Sequence, residues 1–285
     1  MDDAGCDSAT RLGLCHLPLF DFLTIMLEWR DRTIARRPRR TVLPKGFWSN
    51  DDAISFRTNI LELLHDIELG TDLTPYLSCD TTALVRPPPN SKKANATDWR
   101  ERDFVLSAYD LHHLHLGGKN ASGRVKRSNE LLFVRFSRDT AEVVALDKHN
   151  CFYSGRMTEY AEVNSPLQVN NVVRLAHDYT ADERAEMIRS GINVATMCEG
   201  RPVFSGFVST RGTSYLTTRW VDHAIDIIHA YNKTFQTAAG IQELAGQFGL
   251  SDLNLQDLRW ELDHCDLILL HPQARKALLL LKWRR

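Results

Sequence analysis

Three histidines within four residues, His112, His113 and His115, are the residues of this sequence whose types and spacing best suit chemistry. In an extended strand His113 and His115 share one face, because successive side chains point to opposite faces. Two imidazoles on one face can act as acid and base toward one phosphate, or can bind a metal together. A fourth histidine, His149, closes a later strand-like run. We therefore expect His113, His115 and His149 to be the candidate catalytic residues.

Basic residues close to these histidines in sequence are candidates for holding an anionic substrate. Lys126 and Arg127 lie in a loop that follows the histidines. Arg135 stands among apolar neighbours in a strand-like run, and an arginine in such surroundings requires an anionic partner. We expect Lys126, Arg127 and Arg135 to bind substrate, which would complete a cationic, concave site suited to a phosphodiester.

Two other interpretations of the histidines stay open. They can be structural residues, hydrogen-bonded to a carboxylate such as Asp110 or Asp147. They can also hold a metal, although the nearby carboxylates form no standard motif such as HExxH. We assign the site no metal and no cofactor.

Composition limits the function classes that are open to this chain. Its 285 residues carry a formal net charge of −1 and are 43% hydrophobic, as in an ordinary soluble globular protein with no general attraction to nucleic acid or membrane. The six cysteines form no CxxC pair, which argues against a zinc ribbon and a disulfide-dense scaffold. The acidic N-terminus is unlike a signal peptide, and no apolar run is long enough to span a membrane. We expect a cytoplasmic protein without a membrane partner.

Hydrophobic periodicity predicts the elements that position the candidate site. Strands over 111–116, 130–136 and 141–147 are expected to form an antiparallel β-meander, with a basic loop after the first strand and a four-residue turn after the second. Upstream, the pattern predicts a buried helix over 17–30 and a second helix that begins near Asn50 and ends before Gly70. The arginine-rich stretch between them, 30–40, is expected to be a solvated turn, with a phosphate-binding patch as the alternative.

The rest of the chain predicts an α/β part. Helices are expected over 180–190, where Thr180 and Glu183 fit a capping box, and over 217–232. Strands are expected over 193–198 and 203–209, and a β-hairpin closes the chain. The predicted fold class is α+β, with N-terminal helices, a central antiparallel β-meander and a C-terminal α/β part that ends in a β-hairpin. The expected divisions are an N-terminal helical segment (1–85), a linker (86–97), the central histidine-bearing meander (98–165) and the C-terminal part (166–285).

The central pattern resembles the core meander of RelE/ParE-type bacterial toxins. It consists of a basic loop, the strand Glu130–Phe136, a short turn, a strand over 141–147 and a histidine, and it covers about 103–152. The resemblance implies metal-free cleavage of messenger RNA on the sheet and an antitoxin as a protein partner. It also implies that Lys126, Arg127, Arg135 and His149 bind phosphate or act as acid and base. The flanking segments, the near-neutral charge and the His-x-His run depart from that family.

Three hypotheses of function follow. The first is an RNase-like, phosphodiester-cleaving enzyme that is metal-independent and belongs to a toxin or phage-defence setting. The second is a non-enzymatic module that binds a protein or nucleic acid and in which the histidines are structural. The third is a metal-dependent hydrolase. The alternative explanation of the toxin resemblance is that this is a bacterial protein whose central segment has converged on the same strand pattern.

Overall fold

The structure, a computed structural model, describes residues 14–78, 103–121, 123–163, 174–209 and 213–283. The predicted linker at 86–97 lies outside the described residues. The chain divides into two compact units. The first unit holds the described residues between 32 and 215, and the second holds 14–31 together with 216–283.

The helices and strands of the described residues mix along the chain in the manner of an α+β protein, as predicted. The helices are α1 (Leu19–Arg32), α2 (Asp51–Ser55), α3 (Arg57–Leu69), α4 (Phe104–Tyr109), α5 (Gly155–Glu162), α6 (Ala181–Arg189), α7 (Tyr215–Thr234) and α8 (Ala238–Phe248). The strands are β1 (Arg40–Val42), β2 (His112–His115), β3 (Glu130–Phe136), β4 (Thr140–Lys148), β5 (Ala195–Cys198), β6 (Arg201–Phe204), β7 (Arg259–Asp263), β8 (Asp266–His271) and β9 (Lys276–Leu281).

The main sheet of the first unit contains the predicted meander. Its strand order is β1-β4-β3-β2, and β2, β3 and β4 pair in antiparallel fashion. In this register His113 lies opposite Phe133, and Phe133 lies opposite Ala145. Strand β1, which the sequence pattern did not predict, pairs in parallel with β4 at the other edge. The meander therefore supplies three strands of a four-stranded mixed sheet, with β2 at one edge.

Both faces of this sheet are covered by a hydrophobic core. On one face α3 packs through Ile60, Leu63 and Ile67 against residues that include Leu114 and Leu132. On the other face the apolar residues of α4, α5 and α6 pack against a set that includes Leu131 and Phe133. The strand His112–His115 thus has no fully solvated side, because leucines on both faces belong to a core.

Local sequence signals set the ends of α2 and α3, the two helices that follow β1 in the sequence. The Asn50 side chain accepts a hydrogen bond from the backbone N–H of Asp52 and caps α2. The single helix predicted here is two helices, because the chain turns at Phe56. Helix α3 ends at Gly70, which has a φ of 70°, a conformation that glycine adopts without a steric penalty.

The arginine-rich stretch 30–40 is only partly the solvated turn that its charge predicts. Arg39 is buried, and its Nε donates to the carbonyl oxygen of Ser137 at 2.8 Å. Its guanidinium also lies 5.2 Å from the centre of the Phe136 ring. Burial lowers the pKa of Arg39 to about 10, with Arg37 acting in the same direction. This arginine ties the β1 edge to the β3–β4 turn.

The second unit is built on a three-stranded antiparallel sheet of β7, β8 and β9. The β8–β9 pair is the predicted closing hairpin. Its core joins Leu27 of α1 to Val221 of α7 and Leu267 of β8. Helix α8, which was not predicted, packs through Leu244 and Phe248 in a neighbouring cluster. Within the described part of the chain, none of the helices has the length and apolar character needed to cross a membrane.

Candidate active site

Two of the three histidines expected at the site, His113 and His149, converge on one aromatic ring, that of Phe152. The ring centres of His113 and Phe152 are 5.0 Å apart, and those of His149 and Phe152 are 5.5 Å apart. His115 joins the group through His149, at 5.4 Å between ring centres. The β2–β3–β4 register causes this convergence, because His113 and His115 share a face and His149 follows the end of β4. His112 points to the opposite face, where its ring packs on Phe136 at 5.2 Å.

His113 lies beside a carboxylate, although its Nδ1 makes no hydrogen bond to any described residue. Its Nδ1 lies 3.6 Å from Oδ1 of Asp103, an ion-pair distance when the imidazole is protonated. Asp103 also caps α4, because the same carboxylate oxygen accepts a hydrogen bond from the N–H of Leu106 at 3.2 Å. Both side chains retain 11% of their exposure. With Nδ1 facing Asp103, the second nitrogen of His113, Nε2, is the one available for proton transfer.

His149 is oriented by a backbone carbonyl. Its Nδ1 lies 3.2 Å from the oxygen of Asn129, and since a carbonyl oxygen only accepts, Nδ1 carries the proton in this contact. The neutral ring then has its lone pair on Nε2, as a general base requires. Burial lowers the pKa of His149 despite the hydrogen bond with Asn129, and the charges of His113 and Arg127 act in the same direction as burial. His149 is therefore held in the neutral form.

His115 differs from the other two because it is almost completely enclosed. It keeps 2% of its exposure, and its Nδ1 makes no hydrogen bond to any described residue. Burial, followed by the nearby His113 and His149 imidazoles, lowers the pKa of His115 to about 4. The ring is thus neutral across the physiological range and has little access to a substrate.

The loop between β2 and β3 places the basic residues. Gly117 passes so close to Lys126 that a Cβ at this glycine would lie 2.2 Å from the Lys126 carbonyl oxygen. The hydroxyl of Ser128 closes the loop, because it accepts from the N–H of Leu116 at 3.0 Å and donates to the carbonyl oxygen of Glu130 at 2.6 Å. Arg127 lies close enough to His115 and His149 to lower the pKa of both. Lys126 and Arg127 are both exposed on this loop.

Arg135 has its anionic partners within the protein. Its Nη1 lies 3.3 Å from Oε2 of Glu142, the residue opposite it on β4, and its Nε lies 3.9 Å from Oδ2 of Asp110. Its Nη1 also donates to the carbonyl oxygen of Val163 at 3.4 Å. The sequence predicted that this arginine needs an anion, and the fold supplies two carboxylates. The contacts of Arg135 are therefore separate from the imidazole group.

Sequence reasoning missed three residues that shape the site: Asp103, Asn129 and Phe152. An aspartate before a run of helix-forming residues is a capping signal, so Asp103 was within reach of sequence analysis. Its approach to His113, by contrast, depends on how α4 returns against β2. Asn129 acts through its carbonyl group, which every residue possesses. Phe152 lies three residues after His149, but only the short 3₁₀ helix His149–Tyr153 turns its ring toward His113.

No three His, Cys, Asp or Glu side chains among the described residues come together in a way that could hold a metal ion. Comparison of the chain with protein-family models, with curated proteins and with solved structures returned no match.

Proposed function

We propose that this protein is an RNase-like enzyme that cleaves a phosphodiester without a metal ion, with His149 as general base and His113 as general acid. The observation that carries this proposal is the convergence of the two imidazoles on Phe152, each with its Nδ1 facing a different oxygen. A base needs a free nitrogen on a neutral ring, which the carbonyl of Asn129 provides for His149. An acid has to carry a proton, and the carboxylate of Asp103 lies 3.6 Å from Nδ1 of His113, where it would face a positive charge on that ring.

The reaction that this pair suits is internal transfer of an RNA phosphodiester. Nε2 of His149 takes the proton of a ribose 2′-hydroxyl, and the 2′-oxygen forms a bond to phosphorus. The bond from phosphorus to the 5′-oxygen breaks, and Nε2 of His113 gives its proton to that leaving oxygen. The products are a 2′,3′-cyclic phosphate and a free 5′-hydroxyl, so the protons balance. General acid–base catalysis by such a pair contributes about 10²–10⁴-fold for each group.

Arg127 is the phosphate-binding residue of the proposed site, with Lys126 beside it on the loop. A guanidinium can donate two parallel hydrogen bonds to phosphate oxygens and offset the charge that builds up on them. The position of Arg127 near His149 places this charge next to the base. Because Arg135 is held by Glu142 and Asp110, we leave it out of the substrate contacts.

The test is cleavage of an RNA oligonucleotide by purified wild type, His113→Gln and His149→Gln, each with and without EDTA. We expect the wild type to cleave in EDTA and each variant to lose about 10²-fold or more in rate. His65→Gln is the matched control, because His65 is an exposed histidine on α3 in the same unit. Cleavage that EDTA abolishes, or that survives in both folded variants, would contradict the proposal.

The second candidate is a non-enzymatic binding module with structural histidines, and the burial of His115 favours it. In that case the His113 and His149 substitutions would lower the free energy of unfolding and leave binding unchanged at an equal folded fraction. The metal-dependent hydrolase has no comparable support among the described residues. The RNA substrate belongs to the first proposal and is tested with it. A partner such as an antitoxin and a cytoplasmic location are further parts of that proposal.

A further inference from the structure

The short 3₁₀ helix His149–Tyr153 carries an exposed aromatic residue next to the proposed site. Tyr153 keeps 51% of its exposure, whereas its neighbour Phe152 is partly buried against His113, His149 and Phe133. A 3₁₀ helix rises about 2 Å per residue, so Tyr153 follows the proposed base, His149, by about 8 Å along the helix axis. The 3₁₀ helix therefore sets the positions of both His149 and Tyr153.

The backbone at Tyr153 is fixed although its ring is exposed. The Tyr153 carbonyl oxygen accepts a hydrogen bond from Nη1 of Arg189 at 2.6 Å. The turn is closed one residue later, where the N–H and hydroxyl of Ser154 both donate to the carbonyl oxygen of Cys151 at 3.0 Å. The Tyr153 ring meets the Phe152 ring edge-on, with 6.4 Å between centres and 64° between planes. Because about half of the Tyr153 side chain stays exposed, part of its ring is available for stacking.

We propose that Tyr153 stacks on an unpaired base next to the phosphodiester held between His113 and His149, so that the substrate is single-stranded RNA. This inference rests on the proposed function, since it names the substrate of the same site. Exposed aromatic rings bind single strands by stacking on their bases, and every base has a face that suits this contact. A base inside a duplex is already stacked on both faces, so a duplex gains nothing from Tyr153.

The test measures binding separately from cleavage. A short fluorescent oligonucleotide with a 2′-O-methyl group on every ribose cannot undergo the 2′-oxygen attack, so anisotropy reports its dissociation constant. We expect Tyr153→Leu to weaken binding of the single strand by about 5- to 100-fold. Tyr153→Phe keeps the stacking ring and should bind within about twofold of wild type. A duplex of the same sequence should bind at least about tenfold more weakly than the single strand.

The outcomes separate this inference from the proposed function. Cleavage of the unmodified strand that depends on His113 and His149, with unchanged binding by Tyr153→Leu, overturns the inference and leaves the function standing. Binding that depends on Tyr153 without any cleavage overturns the function and supports the stacking contact. Equal binding of duplex and single strand overturns the single-strand preference. A wild type that binds neither oligonucleotide overturns the stacking inference, and it overturns the function as well if the unmodified strand is not cleaved.

Discussion

At the scale of single residues, the oxygen that each imidazole meets decides what that imidazole can do. Nδ1 of His113 lies 3.6 Å from a carboxylate, and Nδ1 of His149 makes a hydrogen bond with a carbonyl group. Nδ1 of His115 has neither contact among the described residues. The proposed acid–base pair therefore joins one histidine of the His-x-His run to the histidine that follows β4. His115 is left as a neutral, enclosed neighbour of His149.

The lowered pKa of His115 predicts that acid weakens the fold. An unfolded histidine takes up a proton near pH 6.5, whereas His115 in the folded protein does so only near pH 4. Between these values the unfolded state binds more protons, so the free energy of unfolding falls as the pH is lowered from about 7 to about 4. We expect a loss of about 2–3 kcal/mol, with His149 acting in the same direction.

Urea unfolding of wild type and His115→Leu at several pH values checks this expectation. The variant lacks the titrating group, so its free energy of unfolding should fall less between pH 7 and pH 4. His65→Leu places the same substitution at an exposed position of the first unit and should keep the wild-type pH dependence. If the free energy of unfolding depends on pH in the same way in wild type and His115→Leu, the His115 imidazole has the same pKa in the folded and the unfolded state, which would contradict the prediction.

The ion pairs of Arg135 predict a second stability effect. Arg135→Ala leaves Glu142 and Asp110 on a largely buried part of the sheet without the opposing charge, and we expect a loss of about 3 kcal/mol in the free energy of unfolding. Arg36→Ala is the reference, because the Arg36–Asp72 pair is exposed and should contribute less than about 1 kcal/mol. Thermal unfolding of both variants measures these losses. An equal loss of stability in Arg135→Ala and Arg36→Ala would argue against a structural role specific to Arg135.

Single residues were the hardest part to predict from sequence. Alternation along β2 was enough to put His113 and His115 on one face, and the need of Arg135 for an anion follows from its apolar surroundings. Which anion it finds, and which histidine is enclosed, depend on Glu142, Asp110 and the helices that cover the sheet. Those contacts join parts of the chain that are far apart in sequence, where periodicity carries no information.

At the scale of elements, the β2–β3 loop is held by a close backbone approach at Gly117. A Cβ there would lie 2.2 Å from the Lys126 carbonyl oxygen, so Gly117→Ala has to displace the loop segment that carries Lys126 and Arg127. We expect a loss of about 1–3 kcal/mol in stability and about a tenfold to hundredfold loss in cleavage rate. Chemical denaturation and the oligonucleotide assay measure the two effects.

The neighbouring glycine supplies the control for that substitution. Gly118 has no atom within 4 Å of an added Cβ, so Gly118→Ala should leave both stability and cleavage close to wild type. If both alanine variants behave alike, the close contact at Gly117 does not govern the loop.

Elements with a strong periodic pattern were predicted well. The run Glu130–Phe136 was placed at its observed bounds, and the capping box at Thr180 and Glu183 is present at the start of α6. Strand β1 was missed because three residues are too few to show alternation and it lies next to a run of arginines. The break at Phe56 was missed because Ile54 and Leu61 continue the helical spacing of apolar residues, although both are exposed.

At the scale of the whole molecule, each unit has a core of its own. Leu63 is fully buried in the core of the first unit, and Leu27 is fully buried in the core of the second unit. We expect Leu27→Ala and Leu63→Ala each to cost about 2–5 kcal/mol in the unit that contains the residue. Hydrogen exchange read by mass spectrometry should show faster exchange in 216–283 for Leu27→Ala, and in the strands of the main sheet for Leu63→Ala. Faster exchange over the whole chain in both variants would mean that the units unfold as one.

The division of the chain between its two units also bears on the order in which the protein is made. Helix α1 is synthesised before the first unit, but Leu23 and Leu27 pack against residues of α7 and β8, which are synthesised after it. At about 5–20 residues per second, the apolar side of this helix waits roughly ten to fifty seconds for its partners, while the whole first unit emerges. During that interval the nascent chain exposes the apolar residues of α1, and chaperone binding to this helix would protect the second unit until its sheet is complete.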